Sequence, residues 1–277
     1  MVELLLEPLQ YGFMQRALGM AILVGLVCAV MGSYLMVQRL ALLGDVISHA
    51  VLPGVATAFA LGLPLVVGAL VSGVLCTALI NWVRDTSRIK EDTAMGIGLS
   101  TFFALGIILI TLIQKEQKID LNHFLFGNIL GVTSRDLWDT SLICILVLAA
   151  VALLYKELLF YSFDPLGAQA AGLPVRRLHW GLMVLVTLAI VASMRAVGVI
   201  LVLALLITPG ATAYLLVDRL IQVMLLGAGL GVTASVAGMY LSYYFNLPSG
   251  PGIVLVAAGL FGLGMGVYHG RQRFTSR

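Results

Sequence analysis

The sequence predicts an all-α, polytopic bundle of about eight to nine transmembrane helices, and three of its properties point there. The 277-residue chain is 61% hydrophobic and only 10% charged, with a mean hydropathy of +1.06, whereas soluble domains are roughly 45 to 50% apolar and about 25% charged. Its apolar residues fall into long runs near the length of about 20 that a helix needs to cross a hydrocarbon core. Short loops between these runs carry most of the charge, and no stretch changes composition enough to mark a second domain. Residues 1–277 therefore read as a single transmembrane domain in a lipid bilayer. The net charge of +3 is scattered between apolar runs, which excludes a basic face for nucleic acid.

The N-terminal segment holds Glu3 and Glu7 where a cleaved signal would hold positive charge, so it reads as a retained interfacial helix leading into the first span. Apolar runs at 17–37, 40–63, 64–83, 94–113, 140–155, 178–193, 196–216, 220–244 and 253–268 then give nine spans. Gly62, Leu63 and Pro64 leave the second and third no room except for a sharp turn. Residues 121–132, LNHFLFGNILGV, are too few to span and read as interfacial or re-entrant. Thr208-Pro209-Gly210 predicts a broken or kinked seventh span. Small-residue spacings at Gly227, Gly229 and Gly231, and at Gly259, Gly262, Gly264 and Gly266, predict close helix packing. Cys28, Cys76 and Cys144 sit singly in apolar runs and read as small lipid- or core-facing residues.

Three basic groups are separated by even numbers of spans: Arg84, Arg88 and Lys90; Lys156, Arg176 and Arg177; Arg271, Arg273 and Arg277. They share one side, which the positive-inside rule makes cytoplasmic. The same parity sends the N-terminus outward, together with Lys115, Lys118 and Arg135, which run against the rule.

Two stretches carry candidate chemistry. In LLGDVISHAVLPG, Asp45 and His49 are four apart and share one face of a helix. If that helix runs on from Arg39, a rise of 1.5 Å per residue carries them roughly 9 and 15 Å inward. Ionisable residues at that depth mark a substrate or ion path, the alternative being a juxtamembrane Asp with a hydrogen-bonded core His. Carboxylate and imidazole together suit a divalent first-row metal. Two ligands are too few, and a second copy of the chain about a two-fold axis would double them. Pro53, on the same face, predicts a kink that frees backbone carbonyls.

In FDPLGAQAAGLP, Asp164 suits an N-cap, Pro165 the first helical position, Gly172 the left-handed terminus and Pro174 the stop. Leu166, Gly167, Ala168, Gln169, Ala170 and Ala171 complete a short helix in a basic loop. Docking on a soluble partner and lying at the membrane interface are its two readings. Asp120 and His123 fall in an external loop, solvated or receiving a cation, and His179 with Trp180 reads as an interfacial anchor. The sequence contains no phosphate-binding loop, HExxH or GxSxG pattern, so the chain reads as no enzyme and hydrolyses no ATP itself.

LLGDVISHAVLPGVATAFALGLP, TSRIKEDTAMGIGLSTFFALGI, LFGNILGV, FDPLGAQAAGLP and VGVILVLALLITPGATAYLL, in this order, resemble the membrane permeases of ABC importers for manganese, zinc and iron, most of all the manganese-import permeases of cyanobacteria. The likeness covers nearly the whole chain. It implies a type II ABC importer-like permease in the bacterial inner membrane, a permease homodimer, two cytoplasmic ATP-binding subunits that carry the ATP, and an extracellular or periplasmic metal-binding protein. It further implies that Asp45 and His49 lie on the metal path and that the helix after FDP is the coupling helix docking on the ATPase. No permanently bound cofactor is implied; manganese, or zinc or iron, is the transported substrate. A self-sufficient secondary transporter or channel, or an intramembrane metalloenzyme, would need further intramembrane ionisable groups or a second catalytic constellation.

Overall fold

The computed structural model describes residues 7–114 and 127–275. Among them the chain is helical throughout: α1 (Gly12–Val37), α2 (Ala41–Ala50), α3 (Leu52–Ala60), α4 (Leu65–Thr86), α5 (Glu91–Gln114), α6 (Ser134–Leu153), α7 (Tyr155–Phe163), α8 (Pro165–Ala170), α9 (Val175–Val197), α10 (Val199–Leu216), α11 (Leu220–Phe245) and α12 (Ser249–Thr275). Nine segments among the described residues are long and apolar enough to cross a membrane, with α2 and α3 forming one of them and α7 and α8 none.

The bundle is built around α1 and α9, whose most apolar stretches are 72% buried, against 17% for α5 and 22% for α6 and α12. Met20, Met31 and Tyr34 of α1 and Leu182, Ile190 and Met194 of α9 are wholly enclosed. Without a hydrophobic force between helices in lipid, close approach through small residues takes over. A Cβ on Gly25 would lie 2.8 Å from the Gly231 carbonyl oxygen, so α1 and α11 touch backbone to backbone. Gly54 of α3 and Gly68 of α4 are in the same relation, each facing the other's carbonyl. The α12 spacing departs from expectation: Gly264 packs on Thr212, but Gly259, Gly262 and Gly266 meet nothing within 4 Å.

Local signals place most boundaries. Gly62 takes φ +66° in the turn between α3 and α4. Thr133 and Asp136 form a reciprocal capping box that starts α6. The N-terminal interfacial helix, in its described part, is a single 3-10 turn at Pro8–Gln10. Of the break or kink expected at Thr208-Pro209-Gly210, the break does not occur: α10 continues through Pro209, with the Thr212 hydroxyl donating to the Thr208 carbonyl at 2.7 Å. The interruption comes instead at Gly198, at φ +82°, which separates α9 from α10. Residues 121–126 of the short apolar run lie outside the described residues. Its remainder forms a 3-10 turn at Ile129–Gly131, and Gly127 packs directly on the Val197–Gly198 backbone.

Contacts sort the loops into two ends. At one, Gln38 donates to Ser162 at 3.0 Å and Arg84 pairs with Glu91 at 3.0 Å. At the other, the Arg16 guanidinium donates to the Val132 carbonyl at 3.1 Å, and Arg195 meets Asp136 at 3.3 Å. The basic groups at 84–90 and 156–177 therefore share an end, opposite the N-terminus, as the span parity requires.

Candidate functional site

Arg39 takes the left-handed conformation, φ +61°, and turns the chain between α1 and α2. The helix therefore begins at Ala41 rather than running on from Arg39, and the rise of 1.5 Å per residue puts Asp45 about 6 Å and His49 about 12 Å along it. One turn apart, His49 Nε2 stands 3.5 Å from Asp45 Oδ1, with side chains 27% and 40% exposed. The His49 ring meets Phe103 of α5 edge-on, with centroids 5.3 Å apart. Its Nδ1 is buried without a hydrogen-bond partner among the described residues. An imidazole nitrogen left in that state is a lone pair or N–H without use in the fold itself.

Directly beyond His49 the helix is interrupted at Val51, and Leu52 and Pro53 open α3. Pro53 has no N–H to offer the carbonyl four residues back, which is that of His49. The interruption is braced from two sides. Ser72 of α4 donates its hydroxyl to the Ala50 carbonyl at 2.6 Å, and Gly106 of α5 packs where a Cβ would come within 2.7 Å of Leu52 Cβ. Among the described residues, no three His, Cys, Asp or Glu side chains gather closely enough to hold a metal ion. Among the described residues, one chain thus presents an oxygen and a nitrogen donor side by side and no third His, Cys, Asp or Glu. Asp120 and His123 lie outside the described residues.

At the opposite end of α4 stands the short helix. Asp164 accepts the Gly167 N–H at 2.8 Å and Pro165 opens α8. The far end closes on Gly172 at φ +82°, with the Leu173 N–H returning to the Ala168 carbonyl at 3.0 Å. Asp164, Pro165 and Gly172 take the roles the sequence assigned them, while Pro174 stands at the N-cap of α9. Ala168 is fully buried and holds the helix to the bundle, while Leu166 is 80% exposed and Phe163 58% exposed beside it. A Cβ on Gly167 would collide with the Asp164 carboxylate, so substitution there disturbs the cap before it disturbs any outer surface.

His179, whose place at the start of a span suggests an interfacial anchor, is also bonded within the bundle. Its Nδ1 stands 2.7 Å from the Tyr161 hydroxyl of α7, and its Nε2 stands 3.1 Å from Asn81 Oδ1 of α4. Burial pushes the Tyr161 hydroxyl up to about 12, so it stays protonated and donates to Nδ1. This leaves the N–H on Nε2 to donate to Asn81. Asn81 is 7% exposed, and its Nδ2 has no partner among the described residues. A cleft of about 1350 Å3 opens beside this chain, bounded by Arg84, Trp82, Pro165, Gln169, Arg176 and Trp180. Helical periodicity gives no sign of these contacts, because the partners are 18 and 98 residues away in sequence.

The sequence profile of the ABC 3 transport family matches residues 10–267. The manganese transport system membrane protein MntC of Listeria innocua is 50% identical over 259 residues, covering 93% of this chain and 92% of its own. A probable iron transport system membrane protein of Haemophilus influenzae is 43% identical over 261 residues, covering 94% and 96%. Among solved structures, PsaBC from Streptococcus pneumoniae in complex with Fab matches with a TM-score of 0.86 at 45% identity, covering 95% of each chain.

Proposed function

The chain belongs to the ABC 3 transport family, and from that premise we propose that it carries divalent manganese into the cell as the permease of an ATP-driven importer. It is a multi-pass protein of the bacterial plasma membrane and a permease subunit, not a catalytic one. The observation that carries the cargo reading is the Asp45–His49 pair, an oxygen and a nitrogen donor 3.5 Å apart within a span, with a free nitrogen on the imidazole. A carboxylate and an imidazole suit manganese, and they also serve iron and zinc. The relative named for manganese transport supports the first. The relative named for iron transport makes iron the second reading.

Two donors are half of a four-donor sphere, so two permease chains would face each other and share the ion. ATP would be bound and hydrolysed by two cytoplasmic subunits docked on α8 through the exposed Leu166 and Phe163, and an external binding protein would deliver the metal. The test is radiotracer manganese uptake in cells lacking other importers, normalised to inserted permease. Uptake should fail for Asp45→Asn and for His49→Ala. Full uptake by either variant would remove that residue from the path, and displacement of manganese uptake by iron at equal concentration would transfer the cargo to iron.

A further inference from the structure

We propose that His179 is a positioning residue that transmits movement of α8 to the Asp45–His49 pair, through Tyr161 on one side and Asn81 on the other. This rests on the importer reading above and adds the residues that join its two ends. The link begins at α8, because Asp164 both caps α8 and closes α7, donating its N–H to the Phe160 carbonyl at 2.9 Å. Tyr161 lies three residues before that junction, and its hydroxyl is 2.7 Å from His179 at the start of α9. His179 passes the contact to Asn81 of α4 at 3.1 Å. The imidazole is thus the one group that touches both α7 and α4 in this chain of contacts, with each ring nitrogen used once.

From Asn81, α4 runs unbroken back to the cargo pair. At 1.5 Å per residue, Asn81 and Ser72 are about 14 Å apart along a single rigid helix. Ser72 is bonded to the Ala50 carbonyl, one residue past His49. Gly68, one turn further, is locked backbone to backbone with Gly54. A push on the Asn81 end therefore reaches the point where the helix carrying Asp45 and His49 is already interrupted at Val51. A packed helix that ties one end of the bundle to the segment carrying the pair is a contiguous path of the kind along which coupling can be carried.

The experiment uses the permease reconstituted with its ATPase subunits in proteoliposomes, with manganese as the probe. In His179→Ala the ATPase subunits should remain bound and hydrolysis should stay near that of the unaltered protein. Manganese moved per ATP hydrolysed should fall about tenfold, within the usual range for a coupling between sites. His179→Gln, whose amide can donate and accept, should restore most of the ratio, and Tyr161→Phe, which keeps the ring, should reproduce part of the loss. Hydrolysis and transport falling in proportion, or a ratio unchanged in both His179→Ala and Tyr161→Phe, overturns the proposal.

A second readout needs no cargo. With Cys28, Cys76 and Cys144 replaced by alanine and Asp45→Cys introduced, the rate of modification by a water-soluble thiol reagent should change on ATP binding only while His179 is present. An ATP response equal with and without His179 overturns the relay. If the unaltered permease moves no manganese but the ATP response still requires His179, the cargo assignment fails and the relay stands.

Discussion

Asp164→Ala should weaken association with the ATPase without unfolding the membrane bundle, and its size follows from the geometry of α8. The helix has six residues, too short to be stable by its own backbone bonds. The substitution removes the 2.8 Å bond from the Gly167 N–H, a loss of about 0.5 to 2 kcal/mol for an N-cap. The C-terminal closure on Gly172 and the buried Ala168 remain, so the helix keeps one fixed end. If the partner recognises only the formed helix, its apparent affinity falls in proportion to the fraction of α8 that stays formed, at most about 2- to 30-fold for that range of energies. Asp164→Asn is the discriminating control, since asparagine caps about as well as aspartate but carries no charge. Titration of the purified ATPase against permease in nanodiscs would measure all three. Weakened binding in Asp164→Asn equal to that in Asp164→Ala would show that the charge acts rather than the cap. Undiminished binding in Asp164→Ala would refute the dependence of docking on the formed helix.

Leu166→Ser should weaken the same association by about tenfold or more while leaving α8 intact, because burying a leucine side chain contributes about 1.5 to 3 kcal/mol and this one is 80% exposed in the isolated chain; unchanged ATPase binding would make α8 an interfacial helix. The double variant Asp45→Asn with His49→Ala should lose little more manganese uptake than either single variant, as for groups serving one site; losses that multiply would assign them to separate steps. Gly54→Val should lower the melting temperature of the detergent-solubilised permease, since overpacking costs about 1 to 3 kcal/mol and its Cβ would strike the Gly68 carbonyl. Gly229→Ala, which meets nothing within 4 Å, is the neutral control, and equal melting of the Gly54 variant would deny the α3–α4 backbone contact. In the cysteine-free chain, Asp45→Cys should cross-link to its counterpart with a short bifunctional thiol reagent, and a strictly monomeric product would remove the shared site.

What was legible in the sequence is what local rules govern. Nine apolar runs report burial in lipid directly, and the Asp164, Pro165 and Gly172 signals act within a few residues of the backbone they shape. The four-residue spacing of Asp45 and His49 gave their shared face because a helix repeats every 3.6 residues. The start of that helix was not legible, because Arg39 adopts a left-handed conformation that non-glycine residues seldom take. Pro209 was overrated as a breaker, since α10 accommodates it within the packed bundle. The contacts of His179 were missed for a third reason: its two partners come from other helices, and no periodicity within α9 records them. The position of a polar residue along a span is thus readable from sequence, but its rotation toward a distant partner is not.

The incompleteness of the Asp45–His49 pair has a physical use in a transporter. A permeating ion must be bound well enough to enter and weakly enough to leave. A full set of four donors within one chain would hold a first-row metal tightly, and release would require distorting that chain's own helices. If two copies share the ion as proposed, two donors per chain would put the rest of the sphere on the partner, and the site would exist only while the two copies are in register. Rotating one copy against the other would then remove half the ligands in a single movement, without breaking any contact inside either bundle. The interruption at Val51 would lie beside that shared site, where a small displacement of α4 would shift α2 relative to α3. Energy delivered at α8 would need only to change the register between copies, and the ion's own hydration would then complete its release.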